Sequence, residues 1–215
     1  MSTPLSPGAK RIGVFGGAFD PPHNAHVALA QVVLEQFELD TLYVIPTGWA
    51  LHKDRTLSPP EHRLAMTRLA FKDMPRTRVD DRELQRAGPS FTIDTLQALQ
   101  AENPQAQLYL VIGSDQFASF RQWHRWQEIL EFAIICIADR VQFTEAKAKF
   151  DDYPGFSGRF LAVKLPLMPV SATQIRQLLA SGITTVGEIA RLVPEPVARY
   201  ISDHQLYRSQ LSPPH

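Results

Sequence analysis

The stretch RIGVFGGAFDPPHNAH, residues 11–26, decides how this chain is read. Its short apolar run (Ile12, Val14, Phe15) is the pattern of a strand buried on both faces, and it stops at Gly16-Gly17. A proline-stiffened loop then delivers His23 and His26 to the mouth of a helix, where Val27, Ala30, Leu34 and Phe37 recur at helical spacing. Strand, glycine turn and helix start together make an anion site, because unpaired backbone N–H groups converge there with the positive end of the helix dipole. Two imidazoles beside such a site point to phosphate chemistry, and so to a protein that handles a nucleotide.

Working outward, strands and helices alternate along the chain. A second strand over 42–45 is closed by Pro46, and a loop over 47–58 carries Gly48, Trp49, His52, Lys53 and Arg55. Pro59-Pro60 opens a helix with Leu64, Met66, Leu69 and Ala70, and a short strand follows near 77–80. After Gly88-Pro89-Ser90 comes a helix striped by Ile93, Leu96 and Leu99; the strand over 108–112 then ends in Gly113-Ser114-Asp115. Residues 121–130 set two tryptophans among basic residues, 132–138 is a further strand, and 140–158 is a polar loop with at most one short helix. A last strand over 160–164, a helix begun by Pro169-Val170-Ser171 and a final helix over 194–204 complete the pattern. The alternation predicts an α/β fold: a Rossmann-like, doubly wound, mostly parallel sheet with helices on both faces. Sites in such sheets lie outside the carboxyl ends of the strands. Residues 16–26, 48–55 and 113–115 all leave strands at that edge, which predicts one cleft.

Composition narrows the class. The 215 residues suit one domain, expected over 10–208, with a disordered tail at 1–9 and another tail at 209–215. Hydrophobic content of 44% and charged content of 20% are globular values. Lys plus Arg and Asp plus Glu are both 22, so no global charge draws the chain to nucleic acid or to a membrane surface. The single Cys136 excludes an intrachain disulfide and a cysteine-built zinc site, and its apolar setting is that of a buried structural thiol. The N-terminal MSTPLSPGAKR lacks the apolar core of a signal peptide and no run reaches membrane-spanning length, so a cytoplasmic protein is expected.

Each candidate residue also has a plainer reading. Gly16-Gly17 fits neither the dinucleotide fingerprint nor the P-loop, and alone would be a turn. The His23/His26 spacing lacks the acidic or cysteine partner of a zincin site, so no metal ligand is expected. In SATQIR, residues 171–176, Ser171 with Gln174 forms a capping box; Arg176, three positions from Thr173, is left over. Hydroxyls, free N–H groups and a guanidinium on one helix start form a phosphate clamp, and cap and function can both be true here. Lys53 alone would be a solvated loop lysine. The segment RQWHRW, 121–126, either packs a tryptophan into the core or offers a stacking wall to one small aromatic ring.

These residues resemble a known family. GGAFDPPHNAH is similar to the nucleotidyltransferase signature of a Gly-rich turn followed by H-x-G-H, and SATQIR to its second signature, S-x-T-x-I-R. GPSFTIDTL (88–96), IGSDQF (112–117), RQWHRW and the closing LVPEPVARYISDHQLY (192–207) resemble the bacterial nicotinate-nucleotide adenylyltransferases in particular. The likeness runs from about Arg11 to Tyr207, with one departure: Ala25 stands where H-x-G-H has glycine. Both histidines are kept, so tighter packing at the helix start is expected, not loss of activity.

The resemblance implies a Rossmann-like fold and the transfer of the adenylyl group of ATP to nicotinate mononucleotide, giving deamido-NAD and pyrophosphate. It implies an ATP site of Gly16, Gly17, Phe19, His23, His26, Gly113, Asp115, Ser171, Thr173 and Arg176, with His23, His26 and Arg176 catalytic. It implies a mononucleotide site of Lys53, Thr92, Trp123, His124 and Arg140. Mg²⁺ would arrive on the ATP phosphates, with no dedicated protein ligand. A pantetheine-phosphate adenylyltransferase and a non-catalytic nucleotide sensor are the alternative readings, and a homodimer stays open.

Overall fold

The computed structural model describes residues 8–48, 57–138, 153, 156, 158–164, 168–182 and 185–208. Lys53, Arg140, most of the 140–158 loop and nearly all of both expected tails lie outside these described residues. In chain order the elements are β1 (Arg11–Gly17), α1 (Asn24–Gln36), β2 (Thr41–Pro46), α2 (Pro60–Phe71), β3 (Thr77–Val79), α3 (Arg82–Gln85) and α4 (Thr92–Glu102). There follow β4 (Gln107–Gly113), α5 (Ser114–Ala118), a 3₁₀ turn (Phe120–Gln122), α6 (Trp126–Phe132), β5 (Ala133–Ala138) and β6 (Phe160–Val163). The last three are α7 (Ala172–Ala180), α8 (Val186–Ile189) and α9 (Glu195–Asp203).

The strands form one parallel sheet in the order β3-β2-β1-β4-β5-β6. Strand order reverses between β1 and β4, so the chain leaves their carboxyl ends in opposite directions and opens a crevice there. Successive side chains alternate between faces. Ile12, Val14, Leu108, Leu110, Ile112, Ile135 and Ile137 bury one face against Ile93, Leu96 and Leu99 of α4 and Ile129 and Leu130 of α6. Phe15, Tyr109, Val111 and Cys136 bury the other against Leu29, Ala30, Val33 and Leu34 of α1. A third cluster joins the C-terminal helices to α2: Ile175, Ile189, Val193, Val197 and Ile201 close over Met66.

Most boundaries shift by a residue or so from the sequence reading, and the one at the glycine pair changes which residue turns the chain. Gly16 and Gly17 do not form the turn; both stay in β1, opposite Ile45 and Pro46 of β2. The chain turns at Phe19, whose φ of 46° is left-handed. Its ring folds back so that a Cβ on Gly17 would stand 3.0 Å from it. Glycine is needed there for close approach of an aromatic ring, not for its own dihedral freedom.

Candidate active site

The start of α1 sits on one side of the crevice. His23 is the N-cap residue, extended at φ −140° and ψ 172°, and His26 is the third residue of the helix. The His23 backbone N–H donates to His26 Nδ1 at 3.2 Å, and the two rings stack with centroids 3.7 Å apart. Because Nδ1 accepts, the neutral His26 ring carries its proton on Nε2. Phe19 packs edge-on against His26 at 5.1 Å and against Phe15 at 5.4 Å. Phe19, expected at the ATP site, is 1% exposed, so its side chain belongs to the core and only its main chain is left to meet a ligand.

Arg176 reaches this loop from the first turns of α7. Its Nη1 donates to the Asp20 carbonyl at 2.8 Å and its Nη2 to Thr173 Oγ1 at 3.0 Å. The two prongs of the planar guanidinium therefore join the signature at 171–176 to the one at 11–26. Ser171 caps α7: its hydroxyl accepts from the Gln174 N–H at 3.2 Å and donates to Gln174 Oε1 at 3.2 Å. Its cap role is thus filled by local bonds, while Arg176 spans to another element.

Sequence reasoning passed over two charged residues that hold these loops. Arg63, 3% exposed, donates from Nη1 to the carbonyls of Thr47 (2.8 Å) and Ala18 (3.1 Å), and from Nε to that of Ser58 (3.0 Å). It ties the ends of β1 and β2 to the start of α2. Asp20, 1% exposed, accepts from the Tyr207 hydroxyl at 2.6 Å and the Ser58 N–H at 3.2 Å. Buried charges persist only when hydrogen-bonded in this way. Asp20 could have been suspected from its place in the quoted stretch; Arg63 has no local signal.

On the far side of β1 the crevice deepens into a cavity of about 390 Å³. Of the residues singled out from sequence, its lining brings together Gly16, Gly17, Thr92, Asp115, Trp123 and His124. Thr92 is the first residue of α4, so its N–H belongs to the group that has no intrahelical acceptor. Trp123 lies against Phe120 with centroids 5.5 Å apart and is only partly buried, whereas Trp126 packs among Phe120, Tyr153 and Phe156. Both are partly buried against the same core cluster, but only Trp123 lines the cavity. His124 leans on Phe91 at 4.3 Å, and its neighbour Arg125 is taken up by Glu128 at 2.5 and 2.7 Å. Gly113 ends β4, its N–H bonds Gln116 Oε1 at 3.3 Å, and Asp115 stands exposed in the first turn of α5.

Glu83, Ser90, Thr95, Gln116 and Ser119 also line the cavity and were not foreseen. Glu83 accepts from Thr95 Oγ1 at 2.8 Å and from the Gly48 N–H; burial nevertheless pushes its carboxyl above the usual range. A Cβ on Gly48 would fall 2.1 Å from the Glu83 carbonyl oxygen, so only glycine lets the root of the 47–58 loop lie on α3. Among the described residues no Lys or Arg lines the cavity, and no three His, Cys, Asp or Glu side chains gather as a metal-binding group.

A histidine pair, a bridging arginine and an aromatic-walled cavity stand at the switch point of a parallel sheet, and the cytidylyltransferase-like family matches residues 14–178, which places the chain among the nucleotidyltransferases. A protein of Albidiferax ferrireducens named "probable nicotinate-nucleotide adenylyltransferase" is 52% identical over 93% of this chain and 99% of its own length. One of the same name from Methylibium petroleiphilum is 38% identical over 92% of each. The chain belongs to the nicotinate-nucleotide adenylyltransferases. The fold is that of the Plasmodium falciparum nicotinic acid mononucleotide adenylyltransferase complexed with NaAD, with a TM-score of 0.74 at 20% identity, covering 92% of this chain and 97% of that one.

Proposed function

We propose that the protein transfers the adenylyl group of ATP to nicotinate mononucleotide, forming deamido-NAD and releasing pyrophosphate. The observation that carries the reading is that two features flank the carboxyl end of β1. The α1 start, with His23, His26 and Arg176 near it, is built for phosphates; the cavity walled by Trp123, Thr92 and His124 suits a flat ring. The family membership agrees with both features.

The nucleophile is the phosphate of the mononucleotide, whose second pKa is about 6, so it is ionised at neutral pH and needs no general base. It attacks the α-phosphorus of ATP in line, the bond to the β-phosphate oxygen breaks, and pyrophosphate departs with the electron pair. His26 donates from Nε2 to oxygens on which charge builds, and Arg176 neutralises the polyphosphate. Asp115 and Gly113 take the adenosine ribose, Ser171 and Thr173 the phosphates, and Trp123 stacks on the pyridine. Lys53 and Arg140 supply cations to the mononucleotide. ATP enters as its magnesium complex, the ion held by its own phosphate oxygens. Among the described residues no helix is long and apolar enough to cross a membrane. A cytoplasmic location is part of the proposal.

Pyrophosphate release with ATP and nicotinate mononucleotide tests the proposal, with pantetheine phosphate as the competing acceptor. Release with the mononucleotide alone supports it. Release only with pantetheine phosphate, or ATP binding without release, overturns it.

A further inference from the structure

We infer that Tyr207 is a positioning residue for adenylyl transfer: through Asp20 it lets the C-terminal segment hold the loop that carries His23 and His26. The inference rests on the proposed reaction for its kinetic consequence, but not for its structural one.

Tyr207 follows α9 at a φ of 64°, and Gln205 two positions earlier has a φ of 51°. Two left-handed non-glycine residues so close together are uncommon, and such conformations persist where surrounding contacts over-determine them. Here the Leu206 N–H bonds the Ile201 carbonyl at 3.0 Å and folds the chain back over the end of α9. The Tyr207 hydroxyl then donates to Asp20 Oδ1 at 2.6 Å, across 187 positions of sequence, with Met66 Sδ at 3.9 Å beside it. Burial and the neighbouring Asp20 charge both raise the phenol above its ordinary range, so it stays a donor.

Asp20 is where three distant segments meet. Its carboxylate takes Tyr207 and the Ser58 N–H, and its carbonyl takes Arg176. Only Pro21 and Pro22 separate it from His23, and proline rings leave little freedom in φ. A shift of Asp20 is therefore passed to His23 with little slack. At the other end of the loop, Asn24 is held by the C-terminal third as well: its N–H bonds the Leu192 carbonyl at 2.9 Å and its Nδ2 that of Arg191 at 3.0 Å. Asn24 holds one end of the loop through its N–H and its side-chain amide, and at the other end Tyr207→Phe removes a single oxygen from the contacts on Asp20.

The test uses the full chain and two variants, Tyr207→Phe and Asp20→Asn, with the double variant. Tyr207→Phe keeps the ring and its packing. It should lower kcat by about tenfold to a hundredfold, as a small misplacement of reacting groups does, while KM for both substrates moves less than about threefold. Asp20→Asn should act similarly, and the double variant should be little worse than either single one. Amide hydrogen exchange at residues 23–27 should quicken in Tyr207→Phe while the amides of α4 keep wild-type protection. Wild-type kcat, or wild-type exchange at 23–27, overturns the inference, as does a double variant whose loss is the product of the two. If the wild type releases no pyrophosphate, the proposed reaction fails separately and the exchange measurement still decides the coupling.

Discussion

His23 and His26 are coupled through the backbone: the N–H of the first is held by Nδ1 of the second at 3.2 Å, under stacked rings 3.7 Å apart. The bond both closes the first turn of α1 and selects the tautomer that presents a proton at Nε2. One side chain thus serves the fold and, in the proposed reaction, the chemistry.

His26→Ala should accordingly do two separable things. Removing a donor that acts where charge develops should cost about a hundredfold to a thousandfold in kcat with KM little changed. Losing the cap should cost about 1 kcal/mol of stability. Steady-state kinetics and denaturant unfolding on one preparation check both, and a variant with near-normal turnover would remove His26 from the reaction.

Arg176→Lys should impair both ATP affinity and turnover, by about tenfold or more. An ammonium cannot reach the Asp20 carbonyl and Thr173 Oγ1 from one plane as the guanidinium does. Titration of ATP into the variant, followed by single-turnover kinetics, measures each effect. Unchanged values in both would show that the bridge is structural only.

Much of the layout of the candidate site was legible in the chain because its signatures are local. The glycine, histidine and SATQIR signatures each sit at the end or start of one element, and alternating strands and helices bring such ends to a single edge of a parallel sheet. What escaped was non-local or short. The bond from Tyr207 to Asp20 spans the chain, and Glu83 becomes a cavity residue only when α3 folds beneath Gly48. The helices at Arg82–Gln85, Ser114–Ala118 and Val186–Ile189 are too brief to show a period. Gly16-Gly17 looked like a turn because a glycine pair usually is one; pairing with β2 keeps it extended, and Phe19 turns instead.

Ala25, the departure from the usual H-x-G-H glycine, packs against the cluster that contains Ile189 and Val193. It lies in the first turn of α1, where glycine is entropically costly. Ala25→Gly should therefore lower stability by about 0.5–1 kcal/mol and leave turnover near wild type. Thermal unfolding and kinetics of the variant would check this. A rise in activity by orders of magnitude would instead mark Ala25 as an impairing residue.

Burial raises the Glu83 carboxyl above its unfolded value, so the folded chain binds this proton more tightly than the unfolded one does. The linked stability is then fully present below the ordinary carboxylate pKa and is lost as pH rises through the raised one. Glu83→Gln removes the titration. The stability difference between wild type and this variant should fall across that window and level off above it. A difference independent of pH over the acidic range would mean that Thr95 and Gly48 offset the burial completely.

Nicotinate mononucleotide should be preferred over its nicotinamide counterpart, and the reason lies in hydrogen-bond polarity. The two acceptors differ only in a carboxylate against an amide at one end of the pyridine ring. A carboxylate accepts hydrogen bonds, whereas an amide NH₂ donates. The ring is expected against Trp123, with the N–H of Thr92 at the start of α4 and the main chain of His124 nearby in the same cavity. If those donors converge on the substituent, the acid satisfies them and the amide sets a donor against at least one. An opposed buried donor costs about 1–3 kcal/mol. That corresponds to about tenfold to a hundredfold in specificity. The half-dipole at the α4 N-terminus favours the anion in the same sense. Turnover of the two mononucleotides, side by side at matched ATP, measures the ratio, and equal kcat/KM for both would refute this pocket while leaving adenylyl transfer itself intact.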